Sequence, residues 1–324
     1  MKANVVICGA GIAGVTTAYQ LAVKHGMKNI IIVDLLPPLT MTSDKSTECY
    51  RNWWPGPGDA MVRLMNRSID ILEELHHEAP GRLPINRHGY LFATADPNRV
   101  ERMVAAAQEI SRLGAGPLRV HRNAARDPEY IPVSGHTFAD APGGADLFLD
   151  HALIRKHFPY LTERTVAVLH ARRCGWFAAQ QFGMYMLEQA IAHGVQHLKG
   201  RVEGAQVVSN GIKSIGVRVN GEMQNIDTRK FVIAAGPLQK EMGRLIGVEI
   251  PVECELHLKV MLNDPKRVVP RHMGLLIWHD SVKLPWSDEE RDALAESGET
   301  RWLLDELPAG LHGRPEGEGD MILL

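Results

Sequence analysis

Residues 5–14 read VVICGAGIAG, and residues 30–34 read IIIVD. A short apolar strand runs into Gly9-x-Gly11-x-x-Gly14, a helix follows from about Ile12 to His25, and a second apolar strand ends in the acid Asp34. This order leaves little choice of fold: two parallel strands joined by a helix, with a tight glycine turn at the first crossing. Gly9 permits the turn out of the strand, Gly11 lets a backbone approach a pyrophosphate, and Gly14 lets the helix lie close to the sheet. The first N–H groups of that helix, at Ile12 and Ala13, point where an anion is favoured. Asp34 accepts hydrogen bonds from ribose hydroxyls and repels a 2′-phosphate, which argues against NADP. The feature therefore calls for an ADP-containing cofactor.

Competing readings of the same end are weaker. Lys2 followed by an apolar stretch resembles a secretory signal, but glycines interrupt it and no small-residue cleavage site follows. No stretch reaches the roughly 18 apolar residues of a membrane span. The 324 residues, 45% hydrophobic and 23% charged, suit a soluble globular protein of two domains. A net charge of −2 without a charged block argues against nucleic acid or an anionic membrane as partner. Cys8, Cys49, Cys174 and Cys254 are far apart, so neither a zinc site nor a dithiol pair is signalled. The pairs His76-His77 and His193/His197 lack companion ligands, and no metal site is expected. Reduced thiols point to a cytoplasmic setting.

Beyond Asp34 lies a long Pro/Gly-rich loop, residues 35–58, of the kind that usually carries function. A helix follows from Gly58-Asp59, with Met61, Leu64, Met65, Ile69, Leu72 and Leu75 at helical spacing. Residues 87–95 read as a strand, and Asp96-Pro97 open a helix to about Leu113. Short strands are expected near 117–122 and 146–149, and a helix over about 178–193 that Gly194 ends. Strands over 202–208, 212–219 and 231–235 follow, with turn signals at Asn210-Gly211 and Asn220-Gly221. Residues 251–262 read as a further strand.

A plain NAD-dependent dehydrogenase, one alternative, would keep alternating strand and helix. Here the pattern is interrupted, which favours a flavin fold. The expected architecture is α/β: a Rossmann-like FAD domain from residues 1–85 and about 150–250, and an antiparallel-sheet substrate domain from about 86–150 and 251–324.

The chain resembles the D-amino-acid-oxidase-type family of FAD-dependent oxidoreductases, which includes glycine oxidase, sarcosine oxidase, and sarcosine and dimethylglycine dehydrogenases. The resemblance rests on GAGIAG with Asp34, TSDKSTECYRNWWPGPG (42–58), CGWFAAQQFGMYMLEQAIAHGV (174–195) and KFVIAAGPLQKEMGRLIGVEIPVECELHLKV (230–260). It implies that Ser43, Lys45, Ser46 and Thr47 meet the flavin or its pyrophosphate. Hydroxyls and N–H groups in a tight loop suit phosphate in any case. It further implies that Val202 reads the adenine edge and that Ala235-Gly236 pass close to the phosphates and ribitol. No histidine stands where some relatives attach FAD covalently, so non-covalent FAD is expected.

The family's chemistry is amine oxidation: a hydride leaves the carbon next to nitrogen for flavin N5, and water hydrolyses the imine. The resemblance thus implies a small amine or amino-acid substrate. Such a site needs a cation for a carboxylate and an aromatic wall. Arg51 is the candidate cation, and Trp53 and Trp54 are candidate walls. Lys259, after a P-V-x-x-x-x-x-x-K spacing, and His257, on the same side of the expected strand, are further candidates. Family members continue past the point where this sequence stops, at GEGDMILL. The expectations there are a truncated sequence or a degenerate member, and the latter admits a non-catalytic flavin-binding assembly factor. Substrate, oxidase or dehydrogenase character, and oligomeric state are left open.

Overall fold

The computed structural model describes residues 1–123, 126–133, 141–209 and 211–324. They form two compact units: Met1–Glu48 with Ala79–Leu83 and Ala178–Leu258, and Cys49–Glu78 with Pro84–Phe177 and Lys259–Leu324. Compared with the expected bounds, residues 49–78, 84–85 and 150–177 group with the second unit and 251–258 with the first.

The first unit is built on a parallel sheet of four strands. Val5–Cys8 lies between Phe231–Ile233 and Ile30–Asp34, and Gln196–Lys199 adds beyond Ile30–Asp34. Strands covered on both faces need apolar side chains on both, which explains the unbroken runs VVIC and IIIV. On one face the helix Ile12–Tyr19 buries Gly14, Val15, Ala18 and Tyr19 and packs on the helix Ala179–Ala192. It runs on as a wider π-helical stretch over Gln20–Lys24, ending at His25 as the sequence suggests. On the other face, Val6, Cys8, Ile31 and Val33 meet Val202, Ile215, Val217 and Ile226. Those residues come from an antiparallel meander, Arg201–Val208, Gly211–Val219 and Glu222–Asp227. The expected turn at Asn210-Gly211 includes Asn210, which lies outside the described residues.

The second unit carries an eight-stranded sheet. Its order is Met261–Asn263, Met321–Leu323, His312–Glu316, Leu275–Trp278, Tyr90–Thr94, Ala167–Ala171, Ala145–Phe148 and Leu118–His121. It is mostly antiparallel, with parallel pairing where Leu275–Trp278 meets Tyr90–Thr94 and where Ala145–Phe148 meets Leu118–His121. Alternation sorts the side chains to two faces. Tyr90, Phe92, Leu169, Ala171, Leu275 and Ile277 pack with Ala107 and Ile110 of the helix Val100–Ile110 and with Trp53 and Val62. Leu91, Ala93, Val168, Leu276 and Trp278 pack with Leu153, Ile154 and Phe158 on the opposite side.

The strand expected over 251–262 is not formed as such. Only Met261–Asn263 is a strand, paired with Met321–Leu323, with Val260 and Leu324 exchanging backbone bonds beside it. Residues 251–260 have no regular structure and are almost all exposed.

Candidate functional site

A cleft of about 440 Å³ opens at the carboxyl ends of the parallel strands in the first unit. Gly9 floors it with φ +109°, a conformation that L side chains avoid. A Cβ there would stand 2.3 Å from the Ala234 carbonyl oxygen, and a Cβ on Gly14 would stand 1.9 Å from the Gly9 oxygen. Gly9 is thus fixed by the neighbouring backbone at Ala234, and Gly14 by the close passage of the helix past the glycine turn. Gly11 is the N-cap of the helix and offers no side chain to fill the space in front of it.

Asp34 shapes the turn from below. Its carboxylate accepts the Ala10 N–H at 2.7 Å and the Leu36 N–H at 2.9 Å. Two carboxylate oxygens accept about four bonds, so capacity remains for ribose hydroxyls. Burial first, and the Asp34 charge second, push the neighbouring Cys8 thiol up to about 12, which keeps it protonated.

Ser43 closes the cleft over the helix end. Its Oγ accepts the Ile12 N–H at 3.0 Å, leaving the hydroxyl hydrogen to donate outward. No acidic residue sits in the helix's first turn, so its positive end is not neutralised by its own side chains. Ile12, Ala13, Val202, Ala235 and Gly236 complete the wall. A glycine-shaped space, an acid at the second strand's end and a helix N-terminus with outward donors together fit an ADP-containing cofactor.

Of the loop residues expected here, Ser43 lines the cleft, whereas Lys45, Ser46 and Thr47 do not. Lys45 pairs with Asp44, and the Ser46 hydroxyl accepts the Glu48 N–H. Thr40 and Thr42 line the cleft in their place. The sequence signal, a hydroxyl-rich loop, marked the segment but not the residues.

The second unit holds a different constellation. Arg51 ends the short strand Cys49–Arg51, which pairs with Cys174–Trp176. Its guanidinium lies 3.8 Å from the centre of the Trp54 ring and 5.7 Å from those of Tyr90 and Phe92. The Trp54 indole N–H donates to the Arg51 carbonyl at 2.9 Å, locking the stack. Burial lowers the Arg51 pKa, yet a guanidinium stays charged at any ordinary pH. Among the described residues no carboxylate pairs with it. Trp53, by contrast, is 2% exposed and belongs to the core.

His279, which sequence reasoning missed, packs on the far side of the same cluster, its ring 5.6 Å from Phe92. It follows Leu275 and Ile277 by the two-residue step that keeps it on their face of the sheet. Burial and then the Arg99 charge lower its pKa, with Arg51 acting the same way and Asp280 opposing, so it is neutral near pH 7. His257 and Lys259 are not brought into either constellation. His257 is 85% exposed with only Glu255 nearby at 3.9 Å, and Lys259 is also exposed. Among the described residues no cluster of potential ligands suits a metal ion, and no helix is long and apolar enough to cross a membrane.

The model of the DAO family, described as FAD dependent oxidoreductase, matches residues 4–273. Among solved structures, L-proline dehydrogenase from P. horikoshii is similar with a TM-score of 0.65 and 19% identity, over 86% of this chain and 64% of that one. Glycine oxidase from Bacillus cereus gives 0.65 and 14%, over 99% and 70%. Iminodiacetate oxidase from Chelativorans sp. BNC1 gives 0.64 and 16%, over 98% and 70%. At these identities the likeness is one of fold, and the chain spans only 64% of the length of the proline dehydrogenase. No curated protein matches the sequence.

Proposed function

The chain belongs to the DAO family of FAD-dependent oxidoreductases, and from that premise we propose that it oxidises the C–N bond of a small amino acid or N-methyl amine that carries a carboxylate. The observation that carries this reading is the Arg51 cage. A desolvated cation without a counter-charge is costly. Stacking on Trp54, Tyr90 and Phe92 offsets part of that cost. A planar carboxylate offsets the rest, because two parallel N–H···O bonds match the guanidinium fork.

In the first unit, Gly9, Gly11 and Gly14 keep side chains out of the way, and the Ala13 N–H at the helix end with the outward-donating Ser43 hydroxyl, held by the Ile12 N–H, holds the pyrophosphate. Asp34 holds the ribose, Val202 the adenine edge, and Ala235-Gly236 the middle of the cofactor. FAD, when bound, supplies the acceptor for the hydride. In the second unit, Arg51 orients the substrate by its carboxylate and the aromatic rings exclude water. His279, held neutral by burial and the Arg99 charge, adds an uncharged ring to the wall beside Phe92, and the substrate reacts as the neutral amine that C–H oxidation requires. Two buried free thiols, Cys8 and Cys174, suit a reducing, cytoplasmic setting.

The test is anaerobic. The FAD-reconstituted chain is mixed with glycine, sarcosine, dimethylglycine, proline and iminodiacetate, and with methylamine and pyrrolidine as carboxylate-free controls. Bleaching of the flavin by one or more of the first set, and by neither control, supports the reading. Bleaching by the controls alone, or bound FAD that none of them reduces, overturns it. The latter outcome favours a flavin-binding assembly factor.

A further inference from the structure

Arg51 stands at the end of a ribbon that is small for the task of placing it. Cys49–Arg51 and Cys174–Trp176 are three residues each and form a two-stranded sheet of their own. A pair of strands is marginal in water even at greater length. A bidentate carboxylate contact, however, needs its guanidinium held to within about half an ångström. The placement draws on groups just beyond the ribbon's end.

Asn52, which follows Arg51, is 2% exposed. Its backbone N–H donates to the Arg173 carbonyl at 3.2 Å, one step past the Arg51–Cys174 pair. Its side-chain amide donates to Asn66 Oδ1 at 2.9 Å and to the Ala115 carbonyl at 3.0 Å. Both partners are acceptors, so the amide has a single orientation. Arg173, which precedes Cys174 on the other strand, donates to the same Asn66 Oδ1 at 3.3 Å, and to Asp70 at 2.6 Å and Glu73 at 3.2 Å. Asn66 Nδ2 donates to the Gly114 carbonyl at 3.4 Å, which turns the Asn66 oxygen toward the other two residues. Asn66, Asp70 and Glu73 stand at i, i+4 and i+7 of the helix Ala60–Glu78, a polar stripe along one face.

The members of the stripe differ in task. Asp70 and Glu73 supply the counter-charge of Arg173. Asn66 supplies none, but its one oxygen receives the residue after Arg51 and the residue before Arg51's cross-strand partner. Both strands are thereby tied to the helix at the level of Arg51. A buried amide donor cannot lose its acceptor without cost, so Asn52 shifts if that oxygen is removed, and Arg51 shifts with it. We propose that Asn66 is a positioning residue for substrate binding, fixing through Asn52 and Arg173 where the Arg51 guanidinium meets the substrate carboxylate. The proposal rests on the reading of Arg51 as the cation that holds that carboxylate.

Steady-state kinetics of the FAD-reconstituted chain, with a carboxylated amine that bleaches its flavin, read the effect. Asn66→Ala should raise KM about tenfold and leave kcat within about twofold. Asn66→Asp keeps an oxygen for both donors and loses only the Gly114 bond, so its KM should lie within about threefold of the native value. Asn66→Gln carries the oxygen one methylene further and should raise KM in the same direction, so the test survives if the alanine variant does not fold. A double-mutant cycle separates positioning from general damage: in an Arg51→Lys background, Asn66→Ala should add less than about twofold. Hydrogen exchange of the apo chain gives a reading without turnover. Residues 49–54 and 173–176 should exchange about tenfold faster in Asn66→Ala and near the native rate in Asn66→Asp. The proposal fails if KM is native in both Asn66→Ala and Asn66→Gln, if the full rise persists in the Arg51→Lys background, or if exchange of the ribbon is unchanged. A native KM in Arg51→Lys overturns the reading of Arg51 and this proposal with it. A raised KM there, with a native KM in Asn66→Ala and Asn66→Gln, overturns this proposal alone.

Discussion

Asp34→Asn separates the two tasks that one carboxylate performs. In the folded chain Asp34 accepts from Ala10, whose backbone is fully buried, and from Leu36, which is 40% exposed. The asparagine amide has a single oxygen, which can keep the Ala10 bond, while the NH2 turns to the Leu36 side. The Leu36 N–H can reach water, so apo stability should fall by no more than about 1 kcal/mol. Asp34→Ala, in contrast, leaves the buried Ala10 N–H without an acceptor and should cost about 1–3 kcal/mol. Toward FAD the ranking differs. Both variants lose charge-assisted acceptance of the ribose hydroxyls, worth about 1.5–3 kcal/mol, which is roughly ten- to hundredfold in dissociation constant. Urea unfolding of the apo chain gives the first quantity, and fluorescence titration with FAD gives the second. Asp34→Glu keeps a carboxylate and should bind FAD within about tenfold of the native chain. If Asp34→Asn binds FAD as tightly as the native chain, the assignment of Asp34 to the ribose is wrong.

Three further outcomes follow from the geometry. Gly14→Ala drives a methyl to 1.9 Å from the Gly9 oxygen, so the helix must move off the turn; a stability loss of about 1–3 kcal/mol with loss of retained FAD on gel filtration is expected. Arg51→Lys keeps the charge but not the fork or the stack, so KM for the carboxylated substrate should rise about a hundredfold while the bound-flavin spectrum is unchanged; an unaltered KM would remove Arg51 from the site. His170, pushed down to about 3 by burial and then by the Arg172 charge, is held neutral in the fold, while the unfolded chain protonates it below about pH 6.5. The unfolded state therefore binds the extra proton, and stability should fall by up to about 1.4 kcal/mol per pH unit from pH 6.5 downward. His170→Gln should flatten that slope in denaturation series at pH 4–7, and an unchanged slope would show that another group carries it.

The parallel core was legible because both its faces are buried, so VVIC and IIIVD carry no polar interruption to confuse the period. The strand Ala167–Ala171 was not, because His170 breaks its apolar run. That histidine is tolerated only through contacts distant in sequence: the Tyr130 hydroxyl and Arg172 donate to Nδ1, and Nε2 donates to the His88 carbonyl. Strands of three residues, Cys49–Arg51 and Cys174–Trp176, are too short to show any period. The segment 251–260 failed the other way. Its alternation is plain, but of that run only the stretch beginning at Met261 is a strand, and residues 251–260 have no regular structure. At the cleft, the glycines and Asp34 were fixed by their own backbone roles, while the choice of Thr40, Thr42 and Ser43 over Lys45, Ser46 and Thr47 depended on the loop's path. His279 could be found only once the sheet had placed it on the face of Phe92.

The same accounting of partners separates architecture from site among the arginines of the second unit. Arg119 grips Asp146 with two bonds at 2.7 and 2.9 Å, and Arg172 reaches the same carboxylate at 3.5 Å. Burial alone would push the Asp146 pKa up, but the bonds from Arg119 and His121 and the two guanidinium charges hold it low. Arg173 is matched by Asp70 and Glu73, Arg271 by Asp264, and Arg314 by Glu316. Removing either partner of such a pair strands a buried charge, so their loss should appear as instability. Arg51 is desolvated like them, but its partners are rings. Aromatic faces attract a cation without satisfying its N–H donors. On the proposed reading, a carboxylate brought from outside is the counter-charge that the rings do not supply. On this argument Arg51→Met, which fills similar space without charge, should leave the fold as stable as before or more so while abolishing turnover of carboxylated amines. A marked loss of stability in that variant would place Arg51 with the structural arginines instead.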